Sequence, residues 1–292
     1  MGRRSVFLAA LLVFLPGAAA PPPQAQLEAL LAADARVAGV AHRVQRAGVR
    51  HCPRRGHVVG ASLHHLGQYR PDLRPAARRL WPVGDAVAVS AVAPGSAAER
   101  AGLRPGDALL AIDGATLSTA GSATARVAAA ASALHAGDGG PLRLDVRRGE
   151  QPLLVRITPE IACVSRVQLV PSKRARAAAD GELVTLTTAL LAFVRNDDEL
   201  AFVLAHEIAH NALGHARRQG AARPDRRSRE RAADRLALKM MGAAGYRIEA
   251  VVPFIERLYR GGPAGGLLSS LGHLGRRERV AAVRAEIGRV AP

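Results

Sequence analysis

His206-Glu207-Ile208-Ala209-His210 is the stretch of the chain best suited to chemistry. It lies within Asp198 to Ala216, where Phe202, Val203, Ile208 and Leu213 recur at helical spacing, with Asp197 or Asp198 placed to cap the helix. Positions four apart return to the same helix face about one turn further on, so the two imidazoles project side by side. Two nitrogen donors in that arrangement can grip one tetrahedral zinc ion. Glu207 stands beside them, where a carboxylate can take a proton from water. The alternative is a solvated surface helix, but two neighbouring ionisable groups have no packing reason to sit there.

A catalytic zinc needs three protein ligands and an open position. Glu230-Arg231-Ala232-Ala233-Asp234 follows about 20 residues on, within a second helical stretch, Arg229 to Met241. Glu230 and Asp234 again share a face: Glu230 can bind the metal while Asp234 accepts the N–H of a ligand histidine and fixes its tautomer. His215 is a nearer rival ligand, but its position after Gly214 marks it as a helix-end residue.

These residues need elements to hold them. Glu182 to Thr187 alternates like a strand, and Thr188 to Arg195 reads as helix. Leu27 to Val49 is a helix by its apolar spacing, with Gly39 as a point of interruption. Arg50 to Pro82 shows no clear periodicity. From Trp81 to Thr158 a compact unit follows: strands at Ala86 to Val92 and Ala108 to Ile112, a short helix from Ala97 to Ala101, and a tight turn at Asp113-Gly114. Helix Ala123 to His135 and a hairpin, Leu142 to Arg147 with Leu153 to Thr158, complete it.

Composition narrows the classes. With 49% hydrophobic residues over 292, the chain is neither disordered throughout nor short of a core. Its 41 basic against 24 acidic side chains give a formal net charge of +17, nearly all of it arginine. Aromatics able to stack bases make up only 3%, so no nucleic-acid partner is expected. Arg217, Arg218, Arg223, Arg226, Arg227, Arg229, Arg231 and Arg235 crowd the stretch between the two motifs. They read as a solvated loop, with an anionic envelope surface as the functional alternative.

Arg3 and Arg4, the apolar run Val6 to Leu15 and Gly17-Ala18-Ala19-Ala20 read as an export signal spanning 1–19, cut after Ala19; an uncleaved membrane anchor is the alternative. Export places the protein in the periplasm or outside the cell. Cys52 and Cys163, the chain's two cysteines, then read as a disulfide, the alternative being two buried thiols.

"VSAVAPGSAAERAGLRPGDALLAIDG" resembles a bacterial PDZ domain, which implies capture of an extended peptide or C-terminus by strand addition. The loop at Val83-Gly84 is the expected carboxylate-binding nest. "DDELAFVLAHEIAHNALGHA" followed by "ERAADRLALKM" resembles the zinc endopeptidase family of bacterial HtpX and the CAAX prenyl proteases, closest to its exported, soluble members. That resemblance implies a gluzincin with one zinc per chain: His206, His210 and Glu230 as ligands, Glu207 as base and Asp234 behind a ligand. His273 to Val280 resembles the family's late His-Pro…Glu-Arg-Ile stretch without the proline, which offers His273 as an extra ligand, a switch or an oxyanion donor, the alternative being a solvated loop histidine. Arg176-Ala177-Ala178-Ala179 has arginine where the family usually has asparagine, just before the strand Leu183, Val184, Thr185, expected to be the edge that pairs with substrate.

The expected fold is α+β: a mostly helical peptidase domain with a small edge-strand sheet, formed by 20–80 and 159–292, and an inserted β-rich PDZ-like domain at 81–158. The expected function is zinc-dependent endopeptidase action on exported or envelope proteins in protein quality control, with the PDZ domain recruiting or gating substrate. The alternative is a non-catalytic, peptide-binding or chaperone-like periplasmic protein.

Overall fold

The computed structural model describes residues 21–216, 225–260 and 275–290. The expected signal at 1–19, His273, Arg217, Arg218 and Arg223 lie outside the described residues. No helix among the described residues is long and apolar enough to cross a membrane.

Helix α1 (Pro23–Ala47) runs through Gly39 without a break. A Cβ there would lie 3.4 Å from Pro94 Cδ, an ordinary van der Waals contact, so nothing at this position demands glycine. The N-terminal half of α1 buries Leu27 among Leu66, Ala77, Trp81 and Val83. Its C-terminal half buries Val37, Val40 and Val44 in the larger core.

Burial pushes the carboxyl of Asp34 on α1 up to about 6. An acid raised in the folded state binds its proton more tightly there. Stability therefore falls as pH climbs from 3.8 to about 6 and stays lower above that window. Asp34→Asn should raise stability at pH near neutrality by about 1 kcal/mol, discounted for a partly exposed side chain, with the gap closing near pH 4. Urea melts at the two pH values check this, and an equal gap at both would refute it.

Strand β1 (Arg55–Val58) pairs antiparallel with β8 (Glu160–Cys163), Arg55 opposite Cys163 and Val58 opposite Glu160. A disulfide joins Cys52 to Cys163, with Cα atoms 5.6 Å apart. Between these two strands the chain forms β2 (Ala61–His64), α2 (Arg74–Leu80), β3 (Val87–Val92), α3 (Ala97–Arg100), β4 (Ala108–Ile112), β5 (Ala115–Thr116), α4 (Ala123–His135), β6 (Leu142–Arg148) and β7 (Gln151–Ile157). They build an antiparallel sheet in the order β2-β3-β4-β6-β7, with β5 on β4. Asp113 and Gly114 both take positive φ, as their tight hairpin turn requires. Val59, Val89, Leu109, Leu134, Leu144 and Ile157 fill the core of this unit. The unit starts at Ala61, twenty residues before the expected boundary at Trp81. Its first strand is only four residues long and slips register between Ser62 and Leu63, too short and irregular to show a period.

Glu160 ties this unit to α1. Its carboxylate lies 3.1 Å from Arg46 and 3.5 Å from His42 on α1, 3.0 Å from Arg100 on α3, and accepts the Ala97 N–H at 3.2 Å.

After β8 come β9 (Arg166–Val170), β10 (Ala177–Ala179) and β11 (Leu183–Thr187). Helices α5 (Thr188–Phe193), α6 (Asp197–Ala212), α7 (Arg226–Ala243), α8 (Val251–Tyr259) and α9 (Arg276–Val290) follow. The mixture of helix and sheet is α+β. One expectation fails here. Leu183, Val184 and Thr185 lie on β11, the middle strand of the order β10-β11-β9, antiparallel to β10 and parallel to β9. Both sides of β11 are occupied, so it is not the edge strand for a substrate. Alternating burial of Val184 and Leu186 identifies a strand, but the same alternation serves a middle strand and an outer one.

Candidate metal centre

Helix α6 starts at Asn196, whose Oδ1 accepts the Glu199 N–H at 3.0 Å. The expected caps, Asp197 and Asp198, sit instead in the first turn, 2.8 Å from Arg36 and Arg247 respectively. Leu200, Phe202, Val203, Leu204, Ile208 and Ala209 are all buried, so α6 is surrounded nearly on every side. Polar side chains in such a helix need partners. Asn211, fully buried, has them: its Oδ1 accepts from Gly181 N at 2.6 Å, its Nδ2 donates to Ser165 Oγ at 2.7 Å, and its carbonyl accepts from Arg54 at 2.8 Å. The C-terminal end of α6 is thus pinned beside the β1–β8 pair.

His206 is 0% and Glu207 2% exposed. Across from them runs α7, capped by Asp225, with Glu230 and Asp234 turned inward. Nε2 of His206 lies 3.3 Å from Glu230 Oε2 and 3.1 Å from Nε2 of His210, which is 3.7 Å from Glu230 Oε1. The other nitrogen of His206, Nδ1, lies 2.8 Å from Asp234 Oδ1. Arg279 on α9, fully buried over the Phe202 ring, donates from Nε and Nη2 to the two Asp234 oxygens at 2.9 and 2.6 Å. Arg279 is the site residue that sequence reasoning missed. Its signal was the Glu-Arg pair at 278–279, seen only as part of a stretch centred on His273.

Charges follow this geometry. Burial alone would lower His206, but the hydrogen bonds and charges of Asp234 and Glu230 raise it to about 9. Burial would raise Glu230, yet hydrogen bonds from His206 and His210 hold its carboxyl well below the usual range. Asp234 is likewise pushed up by burial and pulled lower overall by Arg279 and His206. Burial pushes Glu207 up, with His206 and His210 opposing. One Glu207 oxygen, Oε1, is buried without a hydrogen-bond partner.

The residues fit zinc. Among the described residues, one ligand atom each from His206, His210 and Glu230 lies within 4.8 Å of the others. A tetrahedral ion with bonds of 2.0–2.1 Å spaces its ligand atoms about 3.4 Å apart, close to the distances found here. The two Nε2 atoms face each other at 3.1 Å, a contact that needs a shared proton or cation between the lone pairs. Two imidazole nitrogens and a carboxylate oxygen are the donor set of a catalytic zinc.

Val83 and Gly84, expected to form the carboxylate nest, do not border a sheet edge. They lie in the turn before β3, an inner strand, where the Val83 carbonyl accepts from Arg147 at 3.1 Å. Gly84, with Arg74, Arg78, Trp81 and Asp85, lines a cavity of about 450 Å³. The sheet ends at β2 and β7, and α4 packs on β2.

Comparison with known proteins gives two family matches. Residues 88–148 match the family model for a PDZ domain. Residues 166–223 match that for peptidase family M48. Together they support an M48 family metallopeptidase with a PDZ domain. No curated protein matches the chain. Among solved structures, the chain is similar to the HtrA3 PDZ domain bound to a phage-derived ligand (FGRWV), at 25% identity over 37% of this chain and 89% of that one, with a TM-score of 0.28. It is also similar to the HtrA-type protease AlgW with a decapeptide, at 20% identity over 37% of this chain and 30% of that one, with a TM-score of 0.28.

Proposed function

We propose that this protein is a zinc-dependent endopeptidase of exported or envelope proteins, akin to the exported, soluble relatives of HtpX and the CAAX prenyl proteases. Its PDZ unit recruits or gates the substrate. The observation that carries this reading is the convergence of His206, His210 and Glu230 beside a buried Glu207. Bound there, zinc supplies a Lewis acid for the scissile carbonyl and acidifies the attacking water.

The chain's own residues do the rest. Glu207 takes the water's proton on its unpartnered oxygen and returns it to the leaving amine. Asp234 holds His206 through Nδ1, leaving Nε2 for the metal, and Arg279 holds Asp234 in place and ionised. The carboxylate of Glu230 completes the three ligands. The inserted PDZ unit is set at 61–157, between the paired strands β1 and β8, with the peptidase domain formed by the segments on either side. Among the described residues β2 pairs with β3 alone, which leaves one side for an extended peptide and supports peptide binding there in place of Val83-Gly84. After removal of residues 1–19 the protein works in the periplasm or outside the cell, where its basic surface can meet an anionic envelope.

The test joins metal content to cleavage. The purified chain should carry about one zinc and cleave casein, lose both on chelation and regain both when zinc returns. Absence of zinc would sink the reading. Zinc without cleavage would favour the non-catalytic, peptide-binding alternative.

A further inference from the structure

Helix α6 ends in a motif that turns its exit back on itself. Gly214 takes φ +68, a left-handed conformation open to glycine, and its N–H bonds the Asn211 carbonyl at 3.1 Å. The next N–H, of His215, reaches back to the His210 carbonyl at 2.9 Å. This pair of bonds is a Schellman closure, and it lays His215 over the last turn of the helix. The His215 ring meets the His210 ring edge to face, with centroids 4.9 Å apart, and the two Nδ1 atoms are 2.9 Å apart. Arg229 on α7 donates to the His215 carbonyl at 3.3 Å, which ties the turn to the helix carrying Glu230.

Two imidazole nitrogens at that distance form a hydrogen bond only if one carries a proton and the other a lone pair. Nε2 of His210 faces His206 and Glu230, so as a metal ligand it must offer its lone pair there. The proton of a neutral His210 then sits on Nδ1, and His215 must accept it. We propose that His215 is the positioning residue for His210: its Nδ1 accepts the His210 Nδ1–H, fixing that ring's tautomer and orientation as Asp234 fixes those of His206. This rests on the reading of His210 as a zinc ligand. The site would then be supported differently on its two histidines, by a charged acceptor behind His206 and by a neutral one behind His210. A neutral acceptor raises the ligand's basicity less, so His210 would be the weaker-held of the two.

The test uses the full chain and two replacements. In His215→Asn the amide oxygen can take the place of Nδ1 as acceptor; in His215→Phe the ring remains and the acceptor is gone. Zinc affinity is measured by competition with a chromophoric chelator, alongside thermal melts. The Phe variant should bind zinc about 10-fold or more weakly, and the Asn variant should stay within about threefold of wild type. Nitrogen-15 spectra of the histidines in the zinc-loaded wild type should show the His215 proton on Nε2, a readout that needs no variant to fold. Equal zinc affinity in the Phe variant, or a His215 proton on Nδ1, would overturn the assignment to His215 while leaving the metal site standing. A wild type that takes up no zinc would overturn the metal site and this inference with it.

Discussion

Glu207→Gln should keep its zinc and lose its cleavage, with the rate on casein falling about 10²- to 10⁴-fold. The substitution preserves volume in a site where Glu207 is 2% exposed, and it leaves His206, His210 and Glu230 unchanged. What it removes is a carboxylate that burial pushes upward and whose Oε1 has no partner to reward its charge. A carboxyl kept in that environment is a better proton acceptor than one in water, because its ionised form is poorly stabilised. Glutamine keeps the shape and accepts no proton. Zinc content measured on the same sample makes the result decisive: equimolar zinc with lost cleavage assigns the base, whereas retained cleavage would remove Glu207 from the mechanism.

The second large effect concerns the disulfide. Cys52 and Cys163 close a loop with a sequence separation of 111, and both are buried. In the chain-entropy account a cross-link of that span restricts the unfolded chain by about 5 kcal/mol, a large fraction of the stability of an ordinary domain. Replacing both cysteines with alanine should therefore shift the urea midpoint steeply downward, with reductant having the same effect on wild type and none on the variant. The neighbouring anchors soften the loss without abolishing it: Gln45 donates to the Cys163 carbonyl at 3.1 Å and to Ser165 at 2.6 Å, and β1 stays paired with β8. A loss below about 1 kcal/mol would mean that the unfolded chain is already constrained at this point.

Much of this molecule is legible because its signals are local. His206 and His210, or Glu230 and Asp234, sit one helical turn apart, so their shared face follows from spacing alone. Strands β6 and β7 announce themselves by alternation, and β3 and β4 by short apolar runs bounded by turns. What stays hidden depends on partners distant in the chain. Arg279 looks like one more arginine in a basic helix until α9 packs on α7 and delivers it to Asp234, 45 residues away. Nothing within Leu183–Thr187 tells that β9 and β10 take both its sides. Val83-Gly84 precedes the inner strand β3, whereas one end of the sheet belongs to β2, which carries almost no pattern of its own. Asn196 rather than Asp197 caps α6, and Asp197 meets Arg36 instead, a contact 161 residues away along the chain.

The pairing of β1 with β8 has a consequence for the order of assembly. A chain made from its N-terminus emerges with α1 and β1 first, yet the partners of Val37, Val40 and Val44 on α6 lie more than 150 residues behind. The sheet from β2 to β7, by contrast, is one continuous run whose strand pairings are all within itself. It can therefore close first, leaving Cys52 waiting unpaired beside it until Cys163 arrives. Closure of the early unit brings the two strands within pairing distance and so shortens the effective loop that the later helices must close. This early unit would thus also act as the clamp on which the half carrying His206, His210 and Glu230 is built.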